Sequence, residues 1–220
     1  MATRRRTLKK IGIVTEGDSE VLALPGLYEA LSERTSTQYL KPLRAAVDPL
    51  APPPVVSRGC ADRVRLSFAK GADLVVVLLD REGASQSAAD RAADIEKMLA
   101  KDFGDNVRVV VKDRTFEHWL IAACGAFAAH PAKYPNAEKI KKGYTKGRAD
   151  SCADAESLIN RGLGKGKYEK TKDAPEILKS ASIVEMATHS RSFRRFLAVC
   201  GDATYSNGSC TSLEPPLGPA

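Results

Sequence analysis

Leu74-Val75-Val76-Val77-Leu78-Leu79, followed at once by Asp80-Arg81-Glu82-Gly83, decides how this chain folds. Six consecutive apolar residues, three of them Val, are too few for a buried helix and suit a strand covered on both faces. Such strands belong to parallel sheets sandwiched between helices. The acidic step that follows marks the carboxyl end of the strand, where parallel sheets open onto a crevice.

Outward from this strand the same grammar repeats. Ile11-Gly12-Ile13-Val14 is a short apolar run that ends at Glu16-Gly17-Asp18-Ser19-Glu20. Val107-Arg108-Val109-Val110-Val111 is another, and Glu117 follows it. Between them, Val21, Leu24, Leu27, Tyr28 and Leu31 recur at helical spacing, with Asp18 or Ser19 as cap and Pro25 in the first turns or at a kink. Cys60, Val64 and Phe68 define a second helix ending at Gly71, and Ala88, Ala92, Ile95 and Leu99 a third. A further strand is predicted near Tyr39–Val47, before the proline-rich loop of residues 48–54. The order βαβαβαβ predicts an α/β fold, a Rossmann-like, mostly parallel four-stranded sheet flanked by helices.

Past Lys112 the pattern changes. Thr115 is placed to cap a helix carrying Phe116, Trp119, Leu120, Ala123 and Cys124. Residues 129–172 read as loops with one short helix near 152–160, and two helices follow at about 174–188 and 191–200. The expected division is a basic arm at 1–9, an α/β core at 10–128, a basic insertion and mainly helical extension packed on the core at 129–200, and a flexible tail at 201–220.

The net charge of +7 is unevenly spread. Residues 11–132 hold 14 basic and 17 acidic side chains, whereas residues 133–172 hold 11 basic and 5 acidic. An acidic core beside a basic lobe fits either a metal site serving a polyanion or a solvated lysine-rich surface. No apolar run reaches the roughly 20 residues of a membrane span. Five cysteines without a C-x-x-C pair point to reduced thiols in a cytoplasmic protein, away from disulfides and zinc. His118, His130 and His189 show no ligand spacing.

Acids at three strand ends converge on one crevice, and carboxylates without Cys or His partners suit a hard cation, Mg²⁺ or Mn²⁺. Glu16, Asp80 and Glu82 are the expected ligands, since alternate residues of an extended strand point the same way. Glu20 and Glu117 are the further catalytic candidates, as proton acceptor or holder of a second ion. Taken singly, Glu16 and Glu117 also fit acids at helix starts. Gly162-x-Gly164-Lys165-Gly166-Lys167 lacks the spacing of a P-loop. Lys165, Lys167 and Lys170 around Tyr168 form a candidate phosphate-and-stacking surface. Arg191, Arg194 and Arg195 either grip a nucleic-acid backbone or form the wet side of a helix.

Three motifs together carry a family likeness. Glu16-Gly17-x-Ser19-Glu20, the Asp80-x-Glu82 step and Phe116-Glu117-x-Trp119-Leu120 resemble TOPRIM-like domains. More narrowly, with Lys167-Tyr168-x-Lys170-Thr171 and Ser190-Arg191-Ser192-Phe193-x-x-Phe196, the chain resembles small bacterial TOPRIM-like proteins associated with ATPases in phage-defence loci. The resemblance implies metal held by Glu16, Asp80 and Glu82, with Glu117 as the acid of the Phe-Glu-x-Trp step. Full TOPRIM domains show Asp-x-Asp where this chain has Asp80-x-Glu82. The function so implied is a metal-dependent nuclease cutting phosphodiester bonds of DNA or RNA. The alternatives are a non-catalytic effector subunit of a partner ATPase, or a phosphohydrolase acting on small molecules in a deep pocket.

Overall fold

The computed structural model describes residues 9–206. Strand β1 (Lys9–Thr15) runs through Glu16-Gly17 into α1 (Asp18–Ala23), a 3₁₀ turn at Leu24–Leu27 and α2 (Tyr28–Thr35). Pro25 does not kink one long helix; it sits in the first residues of the 3₁₀ turn, where its missing N–H costs no ladder bond. Short strands β2 (Thr37–Tyr39) and β3 (Leu43–Arg44) precede α3 (Pro53–Ala69) and β4 (Leu74–Leu79). Then come α4 (Ala88–Phe103) and β5 (Val107–Val111). The remainder is helical: α5 (Glu117–Ala122), α6 (Cys124–Ala128), α7 (Ala137–Lys142), α8 (Ala155–Gly162), α9 (Lys170–Lys179), α10 (Ile183–His189), α11 (Arg191–Val199) and α12 (Ala203–Ser206).

The sheet order is β2-β1-β4-β5, with β3 also beside β1, and every pairing is parallel. The strand expected near 39–47 is thus two pieces, pairing in turn with Lys9–Ile11 and with Val14–Thr15. Pro42 lies between them, and a residue with no N–H interrupts a ladder. β4 is central, fully buried from end to end, as its unbroken apolar run requires.

Strand alternation sorts the apolar residues onto two faces. Ile11, Ile13, Leu74, Val76, Leu78 and Val110 join a large core shared with α1, α2 and the C-terminal helices. Val14, Val75, Val77, Leu79, Val107, Val109 and Val111 face α3 and α4. The first core runs without interruption from Ile11 to Cys200, so residues 129–200 complete one face of the sheet. At Gly12, β1 and α3 approach closely: a Cβ there would lie 2.9 Å from Ser67 Cβ. Gly12→Ala is therefore expected to cost about 1–3 kcal/mol through overpacking, read as a lower urea midpoint at unchanged slope.

Several helical expectations change in detail, and residues 129–172, expected to hold one short helix near 152–160, hold α7 as well as α8. The stretch expected as one helix over 174–188 breaks at residues 180–182, where the Ser182 side chain caps α10 by accepting from the Glu185 N–H. The cap of α1 is Gly17 rather than Asp18 or Ser19, and that of α5 is Phe116 rather than Thr115, neither with a side-chain bond. The expected tail begins later than 201, because Asp202 is buried and ion-paired with Arg34 at 2.8 Å. Most of the 1–9 arm and the rest of the tail, with Cys210, lie outside the described residues.

Candidate functional site: carboxylates around a buried lysine

β1 and β4 are neighbours in register, Val14 opposite Val77 and Thr15 opposite Leu78, so the residues that follow them meet at one sheet end. There the Asp80 N–H donates to Glu16 Oε1. In the first turn of α1, Glu20 comes close to both. Oxygens of Glu16, Glu20 and Asp80 lie within 4.8 Å of one another. They line a cleft of about 360 Å³ together with Gly17, Thr115, Glu117 and Lys170.

Lys112, the residue after β5, enters this cluster. Its Nζ lies 2.7 Å from Glu20 Oε1 and 2.8 Å from Asp80 Oδ1, and its side chain is 0% exposed. Phe116 and Trp119 cover it, with ring centroids 5.4 and 5.9 Å from the ammonium, a cation–π arrangement. Trp119 is fixed in turn by its indole N–H donating to Ser192 Oγ at 2.8 Å. The Phe-Glu-x-Trp motif is therefore the housing of a lysine. Nothing in local sequence pattern announced Lys112, since a lysine leaving a strand ordinarily enters solvent. The signal was its place, at the strand end shared with the acids.

Burial works against the Lys112 charge, yet Asp80, Glu20 and Glu16 hold its pKa above the ordinary lysine value. Burial also raises Glu20, but the charge and hydrogen bond of Lys112 outweigh it and leave Glu20 below the carboxylate norm. For Glu16 burial wins, raising its pKa to about 8 in spite of Lys112. Asp80 is likewise pushed by burial to about 7. Glu16 Oε2 is buried with no hydrogen-bond partner. Asp80 Oδ1 has only the Lys112 contact, made off the line of a hydrogen bond. Ionised together, the three carboxylates would exceed the one ammonium by two negative charges, which a divalent cation would balance, and Glu16 Oε2 is a free donor atom for it. The donor set is all carboxylate, as Mg²⁺ or Mn²⁺ prefers.

Gly17 makes this approach of Glu20 possible. A Cβ on Gly17 would lie 2.2 Å from Glu20 Oε2, so the space beside this glycine is taken by the chain's own carboxylate. Gly17→Ala is expected to displace Glu20, so that any divalent cation the cluster takes binds about 10- to 100-fold more weakly in calorimetry, the usual loss when a ligand's support is removed.

Glu82 is where strand geometry misleads. The chain turns directly after Asp80, with Ala84 N–H donating to Arg81 O and Glu82 in the left-handed region at φ 49°. Alternation ends there, so Glu82 is an exposed lining residue of the cleft outside the close group, and Glu20 takes its place. Glu117 is buried on the same cleft and paired with Lys170 at 3.0 Å; Lys170 also reaches Glu156 at 3.2 Å.

The basic candidates divide. Lys165 and Lys167 are exposed on the loop before α9, and Lys165 lines a separate cavity with Lys133. Tyr168 is 6% exposed with its hydroxyl enclosed, so it is core, not a stacking face. Arg191 pairs with Asp113 at 3.0 Å, and Arg195 with the same carboxylate at 2.7 Å, docking α11 on the end of β5. Ser190 caps α11 and, with Ser192, donates to Asp150, which accounts for the Ser-Arg-Ser-Phe motif. His118 is structural, bonded to Thr115 and to Cys152 O. Cys124 and His189, far apart in sequence, do meet with Glu185 inside 4.8 Å. There the thiol and the Gly125 N–H both donate to Glu185, and Gly147 N–H donates to His189 Nδ1, so these groups satisfy one another. Among the described residues the four cysteines are free, and no helix is long and apolar enough to cross a membrane.

Sheet, helices and cluster define an α/β protein of Rossmann-like architecture with a carboxylate cluster around one buried lysine at the carboxyl edge of its parallel strands. The chain belongs to the family described as a domain of unknown function, DUF4276, whose profile matches residues 15–199. That span holds every site residue named above, from Glu16 to α11. No curated protein and no solved structure matches the chain.

Proposed function

We propose that this protein is a metal-dependent nuclease of TOPRIM-like type, hydrolysing phosphodiester bonds, and that it acts in anti-phage defence beside a partner ATPase. One observation carries the reading: Glu16, Glu20 and Asp80 converge within 4.8 Å at the open end of a parallel sheet. The excess of three carboxyls over one ammonium and the unpartnered Glu16 oxygen support it. The place in defence and the ATPase rest on the motif resemblance alone.

Glu16, Glu20 and Asp80 would hold Mg²⁺ or Mn²⁺, which there would polarise a phosphodiester and lower the pKa of an attacking water. Lys112 fixes the carboxylates in position before any ligand arrives, so little reorganisation accompanies binding. Glu117, steadied by Lys170, is the lining carboxylate placed to accept a proton. The open cleft suits a polymer better than a small molecule enclosed on all sides.

The test is Mg²⁺ titration by calorimetry together with cleavage of plasmid DNA and of a structured RNA. Divalent-dependent cutting of either supports the reading, and absence of both metal binding and cutting sinks it. Lys112 favours one alternative. A buried ammonium among carboxylates can replace a cation, which suits a non-catalytic effector subunit that keeps the site as a structural element. Tight association with an ATPase without metal uptake would select that alternative.

A further inference from the structure

A second cleft, of about 350 Å³, opens beside the first and is lined by Arg81, Arg114, Arg148, Arg191 and Arg194 with Asp113 and Asp150. The two clefts share a wall. Arg81 N–H donates to Arg114 O at 3.1 Å, tying the ends of β4 and β5 into a ridge. On one side of that ridge Asp80 and Thr115 line the carboxylate cleft; on the other, Arg81 and Arg114 line the arginine cleft.

The arginines outnumber the acids, and both acids are already engaged. Asp113 is taken by Arg191 and Arg195, and Asp150 accepts from Ser190, Ser192 Oγ and Ser192 N–H. Arg81 Nε donates to the Asp113 carbonyl and Arg194 to the Ala187 carbonyl, neutral acceptors that leave their charge unbalanced. Arg114 and Arg148 complete the set, Arg148 exposed on the loop after Gly147. Guanidinium groups gathered in one concavity repel unless an anion lies among them. Their planar donor forks match phosphate oxygens better than any other common anion.

We infer that this cleft binds backbone phosphates of the nucleic-acid strand whose scissile bond enters the neighbouring carboxylate cleft. The inference rests on the nuclease reading for what lies next door, but its own content is a phosphate-binding site of this chain. Arginine cleft and carboxylate cleft then divide the work: one holds the strand in register, the other meets the bond to be cut.

The experiment is fluorescence anisotropy with 5′-fluorescein-labelled 20-nucleotide single-stranded DNA and RNA over 50–300 mM KCl, in EDTA so that no cutting intervenes. R114A/R148A is compared with wild type and with K97A/K101A, which removes the same charge from exposed positions of α4 on the other face of the sheet. Each lost phosphate contact lowers the log–log salt slope by about 0.7 for a single strand. Expected are a slope smaller by about 1.4 and at least tenfold weaker binding for R114A/R148A, with K97A/K101A near wild type. Equal losses in both double variants, an unchanged slope in R114A/R148A, or no binding by wild type overturns the inference. R148E at the exposed site alone repeats the test should R114A/R148A misfold. Because EDTA removes the metal, failure of the nuclease reading, seen as absent cleavage with Mg²⁺, is read separately from failure of this one.

Discussion

On the proposed nuclease function, Glu16→Gln is expected to lose Mg²⁺-dependent cleavage by about 10³-fold, because a proposed ligand and its negative charge disappear together where several kcal/mol of charge stabilisation are at stake. The same variant is expected to be at least as stable as the parent, and more so in alkali. The Glu16 carboxyl is raised by burial from 4.5 to about 8. A carboxyl raised on folding favours the native state fully below its unfolded pKa, and that contribution is lost as pH climbs through the folded value. Metal-free wild type should thus lose stability between about pH 4.5 and 8, and Asp80, raised to about 7, adds to the loss. Gln cannot ionise, so thermal denaturation of the metal-free proteins should coincide near pH 5 and separate at pH 9, with the variant higher. Mg²⁺ should raise the wild-type midpoint most at pH 9 and the variant's little at any pH. Full cleavage by Glu16→Gln, with matched pH profiles, would remove Glu16 from the site. Retained tight nucleic-acid binding by the variant in EDTA is also expected, since its lost charge lies outside the arginine cleft.

What the sequence could tell follows from which physical signals are local. β4 and β5 are legible because an all-apolar run of five or six residues has few other uses, and both were bounded correctly by their flanking acids and glycines. Glu16 and Asp80 are legible because parallel neighbours in register must present their next residues at the same edge. Glu82 was misplaced because a turn beginning one residue earlier, with a left-handed Glu, cancels alternation, and nothing but Gly83 hints at it. Of the arginine cleft only Arg191 and Arg194 are legible as candidates; Lys112, Arg81, Arg114 and Arg148 are not, for a different reason. A basic residue in a loop reads as solvated, and only the meeting of the loops after β4 and β5 with the one around residue 148 reveals a shared cavity. Tyr168 failed in the opposite sense: its lysine-rich surroundings suggested a surface, while the large core of the C-terminal helices had already claimed the ring. Burial of a residue whose neighbours are exposed is a tertiary fact, and the local pattern is silent about it.

Lys112→Met should be strongly destabilising. It keeps the length and packing of the stem against Phe116 and Trp119 but removes the ammonium that Glu20 and Asp80 share. Stripping one partner from a buried ion network leaves uncompensated charge and costs about 3–5 kcal/mol, a large part of a domain's whole stability. The loss should depend on pH in a definite direction. Without Lys112, Glu20 no longer has the cation that holds its pKa low, so every carboxyl of the cluster favours its protonated form. The variant's native state is then favoured below the unfolded carboxylate pKa and weakens as pH rises through the raised values. Urea denaturation should show it near wild type at pH 4.5 and far below at pH 8. Divalent cation should rescue it at pH 8 if the cluster takes one, because Mg²⁺ supplies the positive charge the lysine withheld. Asp80→Asn in the same chain should recover part of the loss without metal, and the double-mutant cycle should yield a coupling of at least 1 kcal/mol, in the range found for residues of one ion network. A Lys112→Met protein as stable as its parent at pH 8, indifferent to both pH and Mg²⁺, would mean that the cluster is neutral as folded and that the lysine is not its counter-ion. Rescue by Mg²⁺ together with loss of cleavage would instead separate the two cations' duties: Lys112 holds the carboxylates in place, and the metal acts on the bond.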